Sequence, residues 1–280
     1  MLSLWQIIIL GIVQSITEFL PISSSAHLVL FPYLLHWPDQ GLSFDAAIHL
    51  GTLFAVLLYF RSSLLKMLRS VRNGDRVHRH LLLLILVATI PALLVGYFFG
   101  DVFEQRFRSL TIISFQLIFW GIILWIADIY SHHGFLRGAG KKQNQPKKTT
   151  RLVSLRLSQA MVIGLFQTFA LMPGVSRSGI TLTAALFQGV EKKAAAEFSF
   201  LLSIPIILAA SLLKILELFQ TGFVGLNPMH LGIGIFVSFI FGYLVIHFFL
   251  SFLSRHRLWP FALYRIFLGI ALIIVFLIEI

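Results

Sequence analysis

Apolar runs of near-spanning length alternate along the chain with short segments that hold most of its charge. Runs at residues 42–60, 81–100, 109–128, 194–218, 229–253 and 261–279 approach the ~20 residues a helix needs to cross a bilayer. They predict about six full transmembrane helices. Two further apolar stretches are broken, residues 2–35 at Pro21 and the serines after it, and residues 153–190 at Pro173-Gly174. Each break predicts a re-entrant helix hairpin or a pair of spans, so the chain leaves on the side it entered.

The two broken stretches resemble each other. Gly11-Ile-Val-Gln14 matches Gly164-Leu-Phe-Gln167, and each is followed by a proline and a serine-rich tip, with one residue of difference in spacing. Three full spans (42–60, 81–100, 109–128) separate them, and three is odd, so the two tips enter from opposite faces. Broken helices from inverted repeats, meeting near the midplane, are a known way to build a polar site in lipid. The expected fold is therefore an all-α polytopic membrane protein with two inverted-topology repeats. It forms one membrane domain over residues 1–280, with halves at 1–140 and 150–280. The basic stretch GAGKKQNQPKKTTR within 129–152 is the expected linker between halves.

Composition sharpens this. With 58% hydrophobic and 12% charged residues, and a mean hydropathy of +0.91, an ordinary soluble domain is excluded. The net charge of +11 does not signal nucleic acid, because the basic residues gather between apolar runs in the positive-inside pattern. Arg61, Lys66, Arg69, Arg72, Arg76 and Arg79 make 61–80 an expected cytoplasmic loop, and parity adds 129–152 and Arg255-His256-Arg257 to the same side. The segment 219–228, without Lys or Arg, falls outside. A short mixed-charge link around Asp101, Glu104, Arg106 and Arg108 joins two spans. The absence of cysteine excludes disulfides, thiolate chemistry and Cys-ligated metals. Without a basic n-region or a small-residue cleavage site, no removable signal peptide is expected.

Chemistry concentrates at the two breaks. Gln14 and Glu18 stand four apart, on one helical face. Pro21 should end that helix near Leu20, and Ser23, Ser24 and Ser25 suit the start of the next, with His27 one turn beyond Ser24. A carboxylate, hydroxyls and an imidazole thus meet at a helix N-terminus, which favours an anion. The second tip offers Ser176, Ser178 and Thr181 around Arg177, whose planar fork suits phosphate oxygens. Plainer readings stand beside these. Serines after a proline cap helices; His27 could be a bundle histidine; Arg177 could pair with Glu18 structurally; Asp45 and His49 could be an i, i+4 pair within their own helix.

At these residues the chain resembles the bacitracin-resistance family of undecaprenyl-diphosphate phosphatases. The likeness lies in QSITEFLPISSSAH, FDAAIHLGTLFAVLLYF, PGVSRSGIT and AAEFSFLLSIP, and includes the patterns (E/Q)xxxE and PGxSRSxxT. It implies a multi-pass enzyme of the bacterial plasma (inner) membrane. Such an enzyme hydrolyses undecaprenyl diphosphate to undecaprenyl phosphate and inorganic phosphate, recycling the cell-wall lipid carrier and conferring bacitracin resistance. Carried over by position, Glu18, Ser24, His27 and Arg177 are the catalytic candidates, with Ser24 or His27 as nucleophile. Gln14, Ser23, Ser25, Ser176, Ser178 and Thr181 are the substrate-binding candidates. The resemblance also implies Mg²⁺ or Ca²⁺ with Glu18 as ligand, although Gln14 removes one carboxylate from that set. Partners are the lipid diphosphate and the membrane, with no nucleic acid; a homo-oligomer is compatible. A lipid-phosphate flippase using the same pocket is the alternative from another class, and a structural scaffold a third.

Overall fold

The computed structural model describes residues 2–38, 41–139, 152–221 and 227–279. Most of the linker stretch 138–151, and residues 222–226 of the expected outer segment, lie outside these. Eleven α-helices make up the described chain: α1 (Leu4–Phe19), α2 (Ser24–Leu34), α3 (Leu42–Tyr59), α4 (Arg61–Asn73), α5 (Arg76–Phe107), α6 (Leu110–Ala139), α7 (Leu157–Gln167), α8 (Arg177–Phe187), α9 (Lys192–Thr221), α10 (Pro228–Leu253) and α11 (Trp259–Glu279). No strand occurs among the described residues.

Helices α5, α6, α9, α10 and α11 each hold a stretch long and apolar enough to cross a membrane, and α3 with α4 adds a sixth if that bent pair counts as one span. Only 22% to 50% of each long span is buried within the protein. Side chains such as Phe115, Phe119, Phe248 and Phe267 instead face outward. So much exposed apolar surface has one fitting solvent, the hydrocarbon of a bilayer. The chain is a multi-pass membrane protein.

Two expectations need correction. Residues 61–80, read as a loop, contain α4, a helix turned 72° from α3. Its basic residues share one amphipathic helix with Met67, which is buried, and Leu68 and Val71, which are exposed. That composition suits a helix lying in the membrane interface rather than a solvated loop. It stops at Gly74 in the left-handed conformation, and Asp75 then caps α5 by accepting from the Val77 and His78 amides. The mixed-charge link near residues 101–108 is also absent as a loop, because α5 runs on to Phe107. Charged residues do not stop a helix that has already left the apolar layer, since no backbone rule bars them there.

Close helix contacts come from small residues, as membranes favour. A side chain at Gly51 on α3 would run into the Ile235 carbonyl of α10, and one at Gly164 on α7 into the Ala88 backbone of α5. Reciprocal bonds tie α1 to α10: Ser15 Oγ donates to the Ser238 carbonyl and Ser238 Oγ to the Gly11 carbonyl, both at 3.0 Å. At one end of the bundle the fully buried Asp128 of α6 meets Lys192 Nζ at 3.1 Å and Arg257 Nε at 3.3 Å. This ion triad gathers the start of α9 and the turn before α11 against α6.

The two broken stretches form the short helix pairs α1/α2 and α7/α8. At 16, 11, 11 and 11 residues, their helices are about 24 Å and about 16 Å long, short of the hydrocarbon thickness. Each pair folds back at its proline, and the turns meet inside the bundle.

Candidate active site

Helix α1 ends where Pro21 predicts, with Phe19 its last residue and Leu20 extended. The chain then turns through Ser23, which takes φ +77°, and Ser176 on the other tip takes φ +72°. Side chains rarely enter that region, and each instance costs on the order of 1–3 kcal/mol. Neither serine can be explained by a glycine-like lack of side chain, so their surroundings must hold them. Ser178 Oγ donates to the Leu20 carbonyl at 3.0 Å, and Ser25 Oγ accepts from the Gly174 amide at 3.3 Å. The tips therefore grip each other, hydroxyl to backbone, in both directions.

Glu18 is the centre of the cluster and is 6% exposed. Arg177 donates to its Oε1 at 2.8 Å, while Oε2 accepts from Ser24 Oγ at 2.8 Å and from Gln14 Nε2 at 3.2 Å. His49 Nε2 lies 3.4 Å from the same Oε2. Arg177 spends a second N–H on the Ser199 carbonyl at 2.8 Å, and Thr181 Oγ1 reaches Ser199 Oγ at 2.7 Å. One carboxylate thus joins the nucleophile candidate of the first tip to the arginine of the second. A buried carboxylate is tolerable because every side of it meets a donor.

His27 sits apart from this cluster. Its Nδ1 is 2.7 Å from the Ser23 carbonyl and its Nε2 is 2.7 Å from the Tyr264 hydroxyl. A carbonyl only accepts, so Nδ1 carries the proton and Nε2 receives the Tyr264 O–H. Both ring nitrogens are engaged, and Ser24 turns to Glu18 rather than to His27.

All ten residues singled out at the two tips lie at the tips or in the helices leading to them. The structure joins Gln14, Glu18, Ser24 and Arg177 in one bonded group, with Thr181 beside it through Ser199. Ser23, Ser25, Ser176 and Ser178 act in the turns: Ser23 and Ser25 hydroxyls are 3.3 Å apart, as are those of Ser176 and Ser178, and Ser176 caps Gly179. Sequence reasoning missed three participants. His49 bonds the Asp45 backbone carbonyl but turns its other nitrogen to Glu18, so it belongs to the site as well as to its own helix. Tyr264 holds His27. Arg265, fully buried, donates to the carbonyls of Val175 at 2.8 Å, Gly174 at 3.0 Å and Pro21 at 3.5 Å. A lone arginine in the apolar run 261–279 was the available signal for it.

Arg265 braces both tips from α11. Its replacement by Met leaves those carbonyls without their donor, and a loss of stability on the order of 2 kcal/mol is expected. Thermal unfolding in detergent measures it; an unchanged midpoint would show that the tips hold together without the brace.

A resident divalent ion finds a poor ligand set here. Both Glu18 oxygens are taken by Arg177, Ser24, Gln14 and the neighbouring His49. Arg177 brings a positive charge, and Arg177, Ser24 and Gln14 all donate into the oxygens a metal would need. Gln14 Oε1 is buried without a partner, but one amide oxygen is not a site. Among the described residues, no group of three His, Asp or Glu side chains could hold a metal.

Comparison with known proteins agrees with the residues. The profile of the family described as bacitracin resistance protein BacA matches residues 7–271. The chain is similar to undecaprenyl-diphosphatase 2 of Stutzerimonas stutzeri, 44% identical over 280 residues, covering 98% of this chain and 99% of that one. It is similar to the undecaprenyl-diphosphatase of Teredinibacter turnerae, 44% identical over 282 residues with 98% and 99% covered. It also resembles the undecaprenyl-diphosphatase of Desulforudis audaxviator, 43% identical over 273 residues, with 97% of each chain covered.

Proposed function

The chain belongs to the bacitracin resistance protein BacA family, and from that premise we propose that its paired tips hydrolyse undecaprenyl diphosphate to undecaprenyl phosphate and inorganic phosphate. The observation that carries this is Ser24 Oγ donating to Glu18 Oε2 at 2.8 Å while Arg177 holds Oε1 at 2.8 Å. A serine hydroxyl is a weak nucleophile until a base takes its proton, and Glu18 is in place to take it. Ser24 Oγ bonds the terminal phosphorus as the bond to the bridging oxygen breaks, and undecaprenyl phosphate leaves with that oxygen. Water then attacks the phosphoserine, its oxygen leaves on phosphate, and Ser24 regains a proton. Arg177 and the N–H groups of the tips neutralise the equatorial oxygens as charge spreads over them.

The same reading extends to the architecture. The two tips reproduce each other in ways that support inverted repeats. Ser23 and Ser176 share a positive φ, and Gln14 and Gln167 stand nine residues before them. Gly11 packs on α10 at Gly234, and Gly164 on α5 at Ala88. The positive-inside pattern supports α4 and the turn at 254–258 on the cytoplasmic face of the bacterial inner membrane. Any Mg²⁺ or Ca²⁺ would come with the diphosphate oxygens rather than rest on Glu18. Calorimetric titration of either ion into substrate-free protein is expected to give no saturable heat. A 1:1 isotherm abolished by Glu18→Gln would restore a resident ion.

Purified protein in detergent, with no compartment to cross, is expected to release inorganic phosphate from undecaprenyl diphosphate. Absence of release there, with lipid translocation in sealed vesicles, would make the protein a carrier instead.

A further inference from the structure

Tyr264 lies outside both sequence motifs, yet through it α11 hydrogen-bonds and stacks on the imidazole of the first tip. Its hydroxyl is 2.7 Å from His27 Nε2, and the two rings stack at 9° with centroids 5.7 Å apart. His27 is 3% exposed and Tyr264 43%. Taking the phosphatase reading as given, we infer that Tyr264 is a positioning residue for the reaction, acting through His27 on the peptide that carries the nucleophile.

The chain of bonds has a fixed direction. The Ser23 carbonyl can only accept, so His27 Nδ1 donates to it, and the bare Nε2 must take a proton from elsewhere. The Tyr264 O–H supplies it. Without that hydroxyl, the tautomer that serves Ser23 would bury an unpaired Nε2, and the opposite tautomer would set a lone pair against the carbonyl. Tyr264 thus selects the ring state that holds Ser23.

What Ser23 holds is the reacting end of α2. The Ser23 carbonyl is the first of that helix, accepting from the His27 amide at 3.3 Å as well as from its ring. Across a trans peptide the carbonyl and the next N–H point in opposite directions. Drawing the Ser23 carbonyl down α2 therefore aims the Ser24 N–H outward from the helix end, on the residue whose hydroxyl meets Glu18. A first-turn N–H has no partner within its helix, and it is free for a phosphate oxygen. The Ser23 side chain does not cap the helix, and its backbone is held at φ +77°. That unfavourable conformation needs an anchor, and the imidazole is one. Its neighbour on α11, Arg265, grips the Pro21 carbonyl on the same tip, so two successive residues fix the turn from both ends.

Tyr264→Phe removes the hydroxyl and keeps the stacked ring. Its kcat is expected to fall roughly fivefold to tenfold, the size of one neutral hydrogen bond, with KM within about twofold. His27→Asn keeps a donor near the Nδ1 position and has no counterpart of Nε2. In that background Tyr264→Phe is expected to have no further effect on kcat. Multiplying effects in the double variant, or wild-type kcat in Tyr264→Phe, would overturn the inference. Solid-state NMR of protein labelled with ¹⁵N-histidine, assigned by the signal lost in His27→Asn, gives a second readout without turnover. Wild type should show a neutral Nδ1–H ring with a hydrogen-bonded Nε2, and Tyr264→Phe should move that Nε2 resonance. An unmoved resonance sinks the positioning role alone, whereas wild-type protein that releases no phosphate sinks the phosphatase reading beneath it.

Discussion

Arg177→Ala is expected to lower kcat/KM for undecaprenyl diphosphate by roughly 10³-fold, the scale on which phosphoryl-transfer sites depend on such an arginine. The guanidinium is 11% exposed on its side chain and already bonds Glu18 and the Ser199 carbonyl. Those bonds fix its orientation beside Ser24, where the proposed reaction places the diphosphate. Removing it withdraws the positive charge that offsets the phosphate oxygens. Arg177→Lys separates charge from shape: the ammonium restores the charge but not the fork, so only part of the rate should return. Phosphate release from purified variants in detergent, beside a thermal unfolding curve for each, is the measurement. Alanine at 177 with activity within tenfold of wild type would remove the arginine from the chemistry and leave it an ion-pair partner of Glu18.

The second large effect is expected at Ser24 and Glu18, the proposed nucleophile and base. Ser24→Ala should abolish covalent labelling and reduce turnover by at least about 10³-fold, since attack and proton transfer both begin at that hydroxyl. Glu18→Gln keeps an acceptor oxygen near Ser24 but cannot hold a proton, and a loss of about 10²-fold to 10⁴-fold is expected. It also costs the partner of Arg177 its charge, so the two effects act on one unit and should not multiply. Protein quenched at neutral pH in sodium dodecyl sulfate after brief exposure to ³²P-labelled substrate is expected to carry label on Ser24. Label on His27 would transfer the nucleophile role to the imidazole. Substantial turnover in Ser24→Ala without any label would favour direct attack by water. In the structure His27 has both nitrogens engaged, by Ser23 and Tyr264, which is why Ser24 is preferred here.

Much of this site could be read from one chain of letters because its residues are out of place. Glu18, Arg177 and the serines of the two tips interrupt apolar runs, and lipid offers them no hydrogen bonds, so each is conspicuous by cost alone. The breaks at Pro21 and Pro173-Gly174 were equally legible, since proline acts on its own backbone and its predecessor. What escaped notice were residues with a credible local explanation. His49 stands four residues after Asp45 and looked like part of a pair on α3; its backbone bond to Asp45 agrees with that, but nothing local says that Nε2 faces Glu18 on another helix. The arginines and lysine of α4 suggest a solvated loop by sequence, whereas a membrane interface accepts charge and leucine on one helix.

Sequence by itself determined the class of the protein, the approximate positions of its apolar runs, the two proline breaks and most of the polar residues gathered at them. Those follow from short-range physics: hydropathy over a helix length, the proline effect, and the cost of polar groups without partners. Only the tertiary structure decided who meets whom. Glu18 and Arg177 lie 159 residues apart in the chain and 2.8 Å apart in space. Tyr264 and Arg265 reach the first tip across more than 200 residues of sequence, and Arg265 reaches the second across 90 and 91. Such contacts depend on how α1, α8 and α11 pack. Packing is set by close approach at residues like Gly51 and Gly164 and by the grip of each tip on the other's backbone. Spacing along the chain carries no record of either, because the donors that hold a turn need only be near it once the bundle has closed.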